Sequence, residues 1–232
     1  MTERLLLAVP SKGRLLEQSA DFFKRAGFLL RKVGNERGYQ GEIVGADNIE
    51  VTYVSASEIV WYLKTGRAHL GITGEDLARE QISVVEEHLD CIKDMGFGFA
   101  DVVVAIPEYW VDIRTMRDLE EVAGAFRDKH GRWFRIATKY VNLTRRFFAL
   151  KGVSDYRIVE SLGATEAAPA AGTADLIVDI TSTGQTLIAN KLRMLEDGII
   201  LKTEAKLFAS RAAHWTPQLR QIQTKFVNSL RF

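Results

Sequence analysis

Short continuous apolar runs alternate with helical spacings along the chain. Leu5–Val9 is apolar throughout, as a strand buried on both faces requires. It closes at Pro10, followed by the polar turn Ser11-Lys12-Gly13-Arg14. Leu15, Ala20, Phe22, Phe23 and Ala26 then recur near a 3.6-residue period and predict a helix that stops at Gly27. Val51–Val54 predicts a strand. Ser55 and Glu58 behind it have the spacing of a capping box, in which each side chain satisfies a backbone amide at the other position. Leu70–Thr73 predicts another strand, with Gly74-Glu75-Asp76 opening a helix. Further along, 100–107 reads as a buried strand, 115–129 as an amphipathic helix and 134–137 as a strand. A helix carrying Phe147, Phe148 and Leu150 follows Lys139–Asn142, then a strand at 156–159. The last clear strand is 174–180, where Asp175 and Asp179 frame Leu176-Ile177-Val178, and a helix begins near Gly184. The Ala-rich stretch 167–174 reads as helix or turn. Strands alternating with helices predict an α/β fold with mostly parallel sheets. The weakest seam is Met95-Gly96-Phe97-Gly98, where a two-lobe chain could cross over and later return.

Composition narrows the class. The 232 residues allow one large domain or two small ones. Apolar residues at 47% and charged residues at 26% are ordinary for a globular chain. With 31 Lys+Arg against 30 Asp+Glu, a net charge of +1 gives no long-range pull toward nucleic acid or an anionic membrane. Local phosphate sites remain open to it, because they use backbone amides and a few cations. The single Cys91 excludes an internal disulfide framework and a multi-Cys zinc site, and it reads as a buried small hydrophobe. No apolar run reaches the length of a membrane helix, and Leu5–Val9 is too short for a signal segment, so a cytoplasmic protein is expected.

Four strand ends carry candidate chemistry. In Asp179-Ile180-Thr181-Ser182-Thr183-Gly184-Gln185-Thr186-Leu187 an acid ends a buried strand, hydroxyls and a glycine follow, and a helix starts. Outward amides at a helix N-terminus, a close-approach glycine and hydroxyl donors suit a phosphate. Asp179 would repel a phosphate but can accept from sugar hydroxyls beside it. Together these suggest a cradle for ribose 5-phosphate, although an ordinary N-capped turn fits the same residues equally well. Lys12, Gly13 and Arg14 place two cations at a strand's carboxyl end, where open α/β sheets bind ligands, and suit either a pyrophosphate or a solvated surface. Thr73-Gly74-Glu75-Asp76, with capping residues and two acids, suits magnesium coordination or ribose contact, with plain helix capping the better reading. Asn142-Leu143-Thr144-Arg145-Arg146 offers a phosphate clamp or a surface face. No Walker loop, dinucleotide fingerprint, histidine constellation or nucleophile elbow occurs.

Taken together, these segments resemble the ATP phosphoribosyltransferase family. The densest match is Glu166, five residues, then Gly172-Thr-Ala174-Asp-Leu-Ile-Val178-Asp179-Ile-Thr-Ser-Thr183-Gly184-Gln-Thr186-Leu187, which is similar to the family signature over 22 residues. Val9–Leu15, Leu70–Leu77, Ile136–Tyr140 and Asn142–Arg146 support it. The resemblance implies a two-lobe α/β fold like the type II periplasmic binding proteins, with an active site in the interlobe cleft. The expected division is 1–97 plus 190–232 for the first lobe and 98–189 for the second. It implies transfer of 5-phosphoribosyl from phosphoribosyl pyrophosphate (PRPP) to N1 of ATP, releasing pyrophosphate, with Mg²⁺ carried on PRPP.

By the same resemblance Asp179 holds the ribose hydroxyls. Thr181, Ser182, Thr183, Gly184, Gln185 and Thr186 hold the 5-phosphate. Lys12, Gly13, Arg14, Thr73, Gly74 and Glu75 serve the nucleotide and pyrophosphate, and Arg37 lies near the substrate phosphates. Asp179, Lys12 and Arg37 are the implied catalytic residues. Ser55-Ala56 stands where many members have Arg-Pro, so another cation must supply that charge. The length resembles the family's short form. That form implies a homodimer joined to a separate regulatory subunit resembling histidyl-tRNA synthetase, with no nucleic acid or membrane partner. The competing readings are a non-catalytic small-molecule-binding module of the same fold, which as a transport receptor would need a signal peptide, and a tetrapyrrole-building deaminase, which would need a cofactor-bearing Cys.

Overall fold

The computed structural model describes residues 3–33, 39–161 and 163–230. In chain order the elements are β1 (Leu5–Pro10), α1 (Gly13–Arg25), β2 (Leu29–Lys32), β3 (Gln40–Val44), β4 (Ile49–Val54), α2 (Ala56–Lys64), β5 (Leu70–Gly74), α3 (Glu75–Gln81), α4 (Val85–His88) and β6 (Leu89–Asp94). Then come β7 (Ala100–Pro107), α5 (Met116–His130), β8 (Phe134–Thr138), α6 (Val141–Leu150), β9 (Tyr156–Glu160), a 3-10 turn (Thr165–Ala167), β10 (Leu176–Thr181), α7 (Gln185–Ala189) and β11 (Leu192–Thr203). The chain ends with β12 (Ala205–Ser210) and α8 (Pro217–Ser229). It divides into two compact units: residues up to Gly98 together with those from Glu204, and Phe99–Thr203.

The first unit holds a seven-stranded sheet in the order β2-β3-β4-β1-β5-β12-β6. The alternation of β1 explains its unbroken apolar run. Leu5, Leu7 and Val9 enter one core with Phe22, Phe23 and Leu207, while Ala8 enters the opposite one with Ile59, Leu63 and Phe208. The second unit holds a five-stranded sheet, β11-β7-β10-β8-β9. Val103, Ala105, Ala137 and Ile177 pack there with Ala168 and Ala174, so the Ala-rich stretch is a packed turn.

Three expectations are corrected. Of the ten strand pairings among the described residues, four are parallel and six antiparallel, so the sheets are mixed. Helical crossovers yield the parallel pairs. The antiparallel ones come from edge hairpins and from β7 and β12, the strands that enter each unit. The return to the first unit falls between Thr203 and Glu204, because β11 stays paired with β7 from Leu192↔Pro107 to Thr203↔Ala100. Cys91 is exposed, with its thiol facing the Asp94 carboxylate at 3.8 Å.

Candidate active site

In the second unit β8 and β10 run parallel, with Ile177 opposite Ala137, so their carboxyl ends share one edge of the sheet. Side chains alternate along β10, which puts Asp179 and Thr181 on the face of the buried Ile177. Burial pushes the Asp179 carboxyl above the ordinary range. The Ile180 amide and the Lys139 ammonium oppose this rise, and the nearby Glu166 adds to it. Lys139 follows the end of β8, and Glu166 sits in the 3-10 turn. Both belong to the matched segments, but nothing in their local spacing says that they meet Asp179. The parallel pairing of β8 and β10 is the signal that brings Lys139 to Asp179.

The loop after β10 is internally ordered. The Thr181 hydroxyl oxygen accepts from the Gly184 amide at 2.9 Å, and that of Thr183 accepts from the Gln185 amide at 3.4 Å. Gly184 has φ +74°, a left-handed conformation that a side chain would strain. Ser182, Thr183, Gln185 and Thr186 are exposed, while Leu187 is buried and anchors the loop. Helix α7 has five residues, too short for a strong dipole. The expected outward, unpaired amides are therefore partly replaced. The amides of residues 184 and 185 are held by the loop's own hydroxyl oxygens, whose protons remain free to donate.

In the first unit β1 pairs in parallel with β4 and β5, so Ser11–Arg14 and Ser55 follow strand ends, and Gly74 closes one, on the same edge. Lys12 is the extended N-cap of the thirteen-residue α1. That helix start has no side-chain cap and no acid in its first turn. Gly13, at φ +73°, makes the turn, and Lys12, Gly13 and Arg14 are exposed. An anion would meet partial positive charge there as well as the two cations.

Thr73 and Glu75 are occupied differently. Thr73 is fully buried and donates its hydroxyl to the Ala56 carbonyl at 2.8 Å. Glu75 pairs with Arg79 at 2.7 Å and with Lys206 at 3.1 Å, and Lys206 also meets Asp94 at 2.9 Å. These two residues tie strand and helix together instead of presenting free ligands. A Cβ on Gly74 would meet the Asp76 carboxylate, so a side chain there would displace Asp76. Ser55 forms the expected capping box with Glu58 at the start of α2. Arg37 lies outside the described residues. No His, Cys, Asp and Glu group among the described residues could hold a metal ion. No helix among them is long and apolar enough to cross a membrane.

Two mixed α/β units, one with a hydroxyl-rich loop and a half-buried acid at the edge of its sheet, define a two-unit α/β protein with the fold seen in periplasmic-binding-protein-like domains. A histidine kinase sensor domain with similarity to periplasmic binding proteins shares this fold, with a TM-score of 0.53 at 13% identity over 98% of this chain and 88% of that one. Residues 55–231 match the family model described as ATP phosphoribosyltransferase. An ATP phosphoribosyltransferase of Afipia carboxidovorans is 59% identical over 95% of this chain and 68% of the relative. One of Bradyrhizobium diazoefficiens is 58% identical over the same shares. A solved chain of the ATP phosphoribosyl transferase (HisG:HisZ) complex from Thermotoga maritima has a TM-score of 0.74 at 28% identity, covering 97% of this chain and 96% of that one. The chain belongs to the ATP phosphoribosyltransferase family.

Proposed function

We propose that the chain moves the 5-phosphoribosyl group of PRPP to N1 of ATP, forming phosphoribosyl-ATP and pyrophosphate in the first step of histidine biosynthesis. The observation that carries this reading is the half-buried Asp179 beside the Thr181–Thr186 hydroxyl loop, in a chain of this family. Adenine N1 offers a free lone pair, so no strong base is required. N1 bonds to the ribose C1 as the C1–O bond breaks. The bonding pair leaves with pyrophosphate, and the ribosylated ring releases a proton to solvent.

The barrier lies in positive charge growing on the sugar while negative charge grows on the leaving group. Preorganised charge lowers such a barrier by several kcal/mol. The hydroxyls of the loop 181–186, with Gly184 shaping its turn, hold the 5-phosphate. Ionised Asp179 accepts from the ribose hydroxyls and favours the cationic sugar. Lys12, Arg14 and the uncapped start of α1 serve the pyrophosphate. Gly13 makes the turn, and Gly74 allows close backbone approach beside Thr73 and Glu75. Arg37 is the remaining catalytic candidate. Mg²⁺ enters with PRPP as part of the substrate, since Glu75 is committed to Arg79 and Lys206.

The Thermotoga chain was solved in a complex with a second protein. A homodimer of this chain joined to a separate regulatory subunit of that kind is the assembly proposed here. The test of function mixes the protein with ATP, PRPP and Mg²⁺ and follows the ultraviolet change as N1 is ribosylated. Turnover requiring all three is expected. No turnover, even with the partner present, overturns the reading in favour of a binding module.

A further inference from the structure

A charged cavity in the Phe99–Thr203 unit is not used by the proposed reaction. It measures about 590 Å³ and lies between α6 and the start of β9. Its lining combines apolar Ala149, Val153 and Ile158 with Arg145, Arg157 and Tyr156. The Tyr156 ring is fixed edge-on against the buried Phe148, with centroids 4.9 Å apart. Arg145 lies close enough to act on the Tyr156 phenol electrostatically.

The two arginines are unusual for this unit. Arg127 pairs with Asp155 at 3.2 Å, while Arg132 and Arg135 share Asp175 at 2.6 and 3.4 Å. No ion pair or hydrogen bond among the described residues takes up the guanidinium of Arg145 or Arg157. Arg157 also stands directly opposite Arg135 in the β8–β9 register, a like-charge pairing that costs stability. The neighbouring Asp155 is engaged by Arg127, and Lys151 by Asp197. An anion in the cavity would meet positive charge without a competing carboxylate.

We propose that this cavity binds a small organic phosphate ester, with its phosphate between Arg145 and Arg157 and its apolar part against Tyr156, Val153 and Ile158. Guanidinium forks match phosphate oxygens in pairs, and the volume suits a small ligand. The site is separate from the loop after β10. Tyr156 is level with Phe134, and Ile136 with Leu176, so Tyr156 lies level with Ala174. From there to Thr181 is seven residues along the strand direction, about 23 Å.

The probes are phenyl phosphate and inorganic phosphate, titrated into the full chain carrying 3-fluorotyrosine. The Tyr156 fluorine resonance is assigned by its loss in Tyr156→Phe. Phenyl phosphate is expected to shift this resonance in the wild type and in Thr186→Ala with the same dissociation constant. Binding should weaken by roughly tenfold or more in Arg145→Gln/Arg157→Gln, whose thermal midpoint checks that it folds, with the single Arg157→Gln in reserve. Inorganic phosphate should bind more weakly than the ester. Unchanged affinity in the arginine variants, no shift of the Tyr156 resonance, or equal affinity for the two probes overturns the proposal.

Discussion

Asp179 illustrates the tension between chemistry and stability at a single residue. Its carboxyl is pushed up chiefly by burial, so the folded chain holds an ionised acid less readily than the unfolded chain does. At neutral pH the buried carboxylate destabilises the fold, and the penalty eases as pH falls through the raised value. Asp179→Asn should therefore keep or raise the thermal midpoint at neutral pH while lowering kcat more than ATP affinity. Wild-type turnover would remove the residue from the reaction, and a collapse in stability would reassign it as structural. The acid limb of kcat/KM should lie above the ordinary aspartate range and vanish in this variant. Thr186 is exposed on the loop and free of a stability role, so Thr186→Ala should weaken PRPP binding by about 1–3 kcal/mol with an unchanged thermal midpoint. Titration calorimetry with PRPP checks this, and an unchanged dissociation constant would remove the phosphate assignment.

At the scale of elements, the strand-to-helix turns that bear candidate ligands divide into two kinds. The helix start at Lys12 has no side-chain cap, while the Thr73–Glu75 turn is locked by the Ala56 carbonyl, Arg79 and Lys206. Burial alone would lower the Lys206 ammonium, but its carboxylate partners outweigh that and hold it well above its usual range. Glu75→Gln should thus act on stability, lowering it by about 2 kcal/mol in urea unfolding, with little effect on PRPP affinity. The reverse pattern would return Glu75 to the site. Both turns look alike in sequence, because acids and hydroxyls cap helices and bind ligands with equal ease. Local patterns made β1, β7, β10 and the Ser55–Glu58 cap legible, since their determinants lie within a few residues. Strands β11 and β12 were not legible. The charged, bulged β11 becomes a strand only by pairing with β7, from Leu192 opposite Pro107 to Thr203 opposite Ala100. The meeting of Asp179 and Lys139 likewise needed the β8–β10 pairing, and no local spacing encodes it.

For the whole molecule, near-zero net charge hides strongly placed single charges, and these set how the fold responds to pH. His69 sits where β1, β5 and the segment before α8 meet. Its Nδ1 accepts from the Leu6 amide at 3.0 Å, its Nε2 lies 3.3 Å from the His214 carbonyl, and its ring packs edge-on against Trp215. Nδ1 as acceptor fixes the neutral tautomer. Burial, foremost, lowers its pKa, while the His214 carbonyl and Glu3 work the other way. The unfolded chain then takes up a proton that the folded one refuses, so this stability is present above about pH 6.5 and is lost as pH falls through the lower folded value. Asp175 acts further down. Burial opposes its ionisation, but Arg132 and Arg135 outweigh burial and hold it below the usual carboxylate range. Its contribution persists above the unfolded value near 3.8 and fades as pH falls through the folded one. In an Asp179→Asn background, which removes that residue's opposite acid response, thermal midpoints measured from neutral pH downward should therefore fall in two stages. His69→Gln should remove the first stage and leave the second, while Asp175→Asn should do the opposite. A first stage that survives in His69→Gln would place the acid sensitivity on another group.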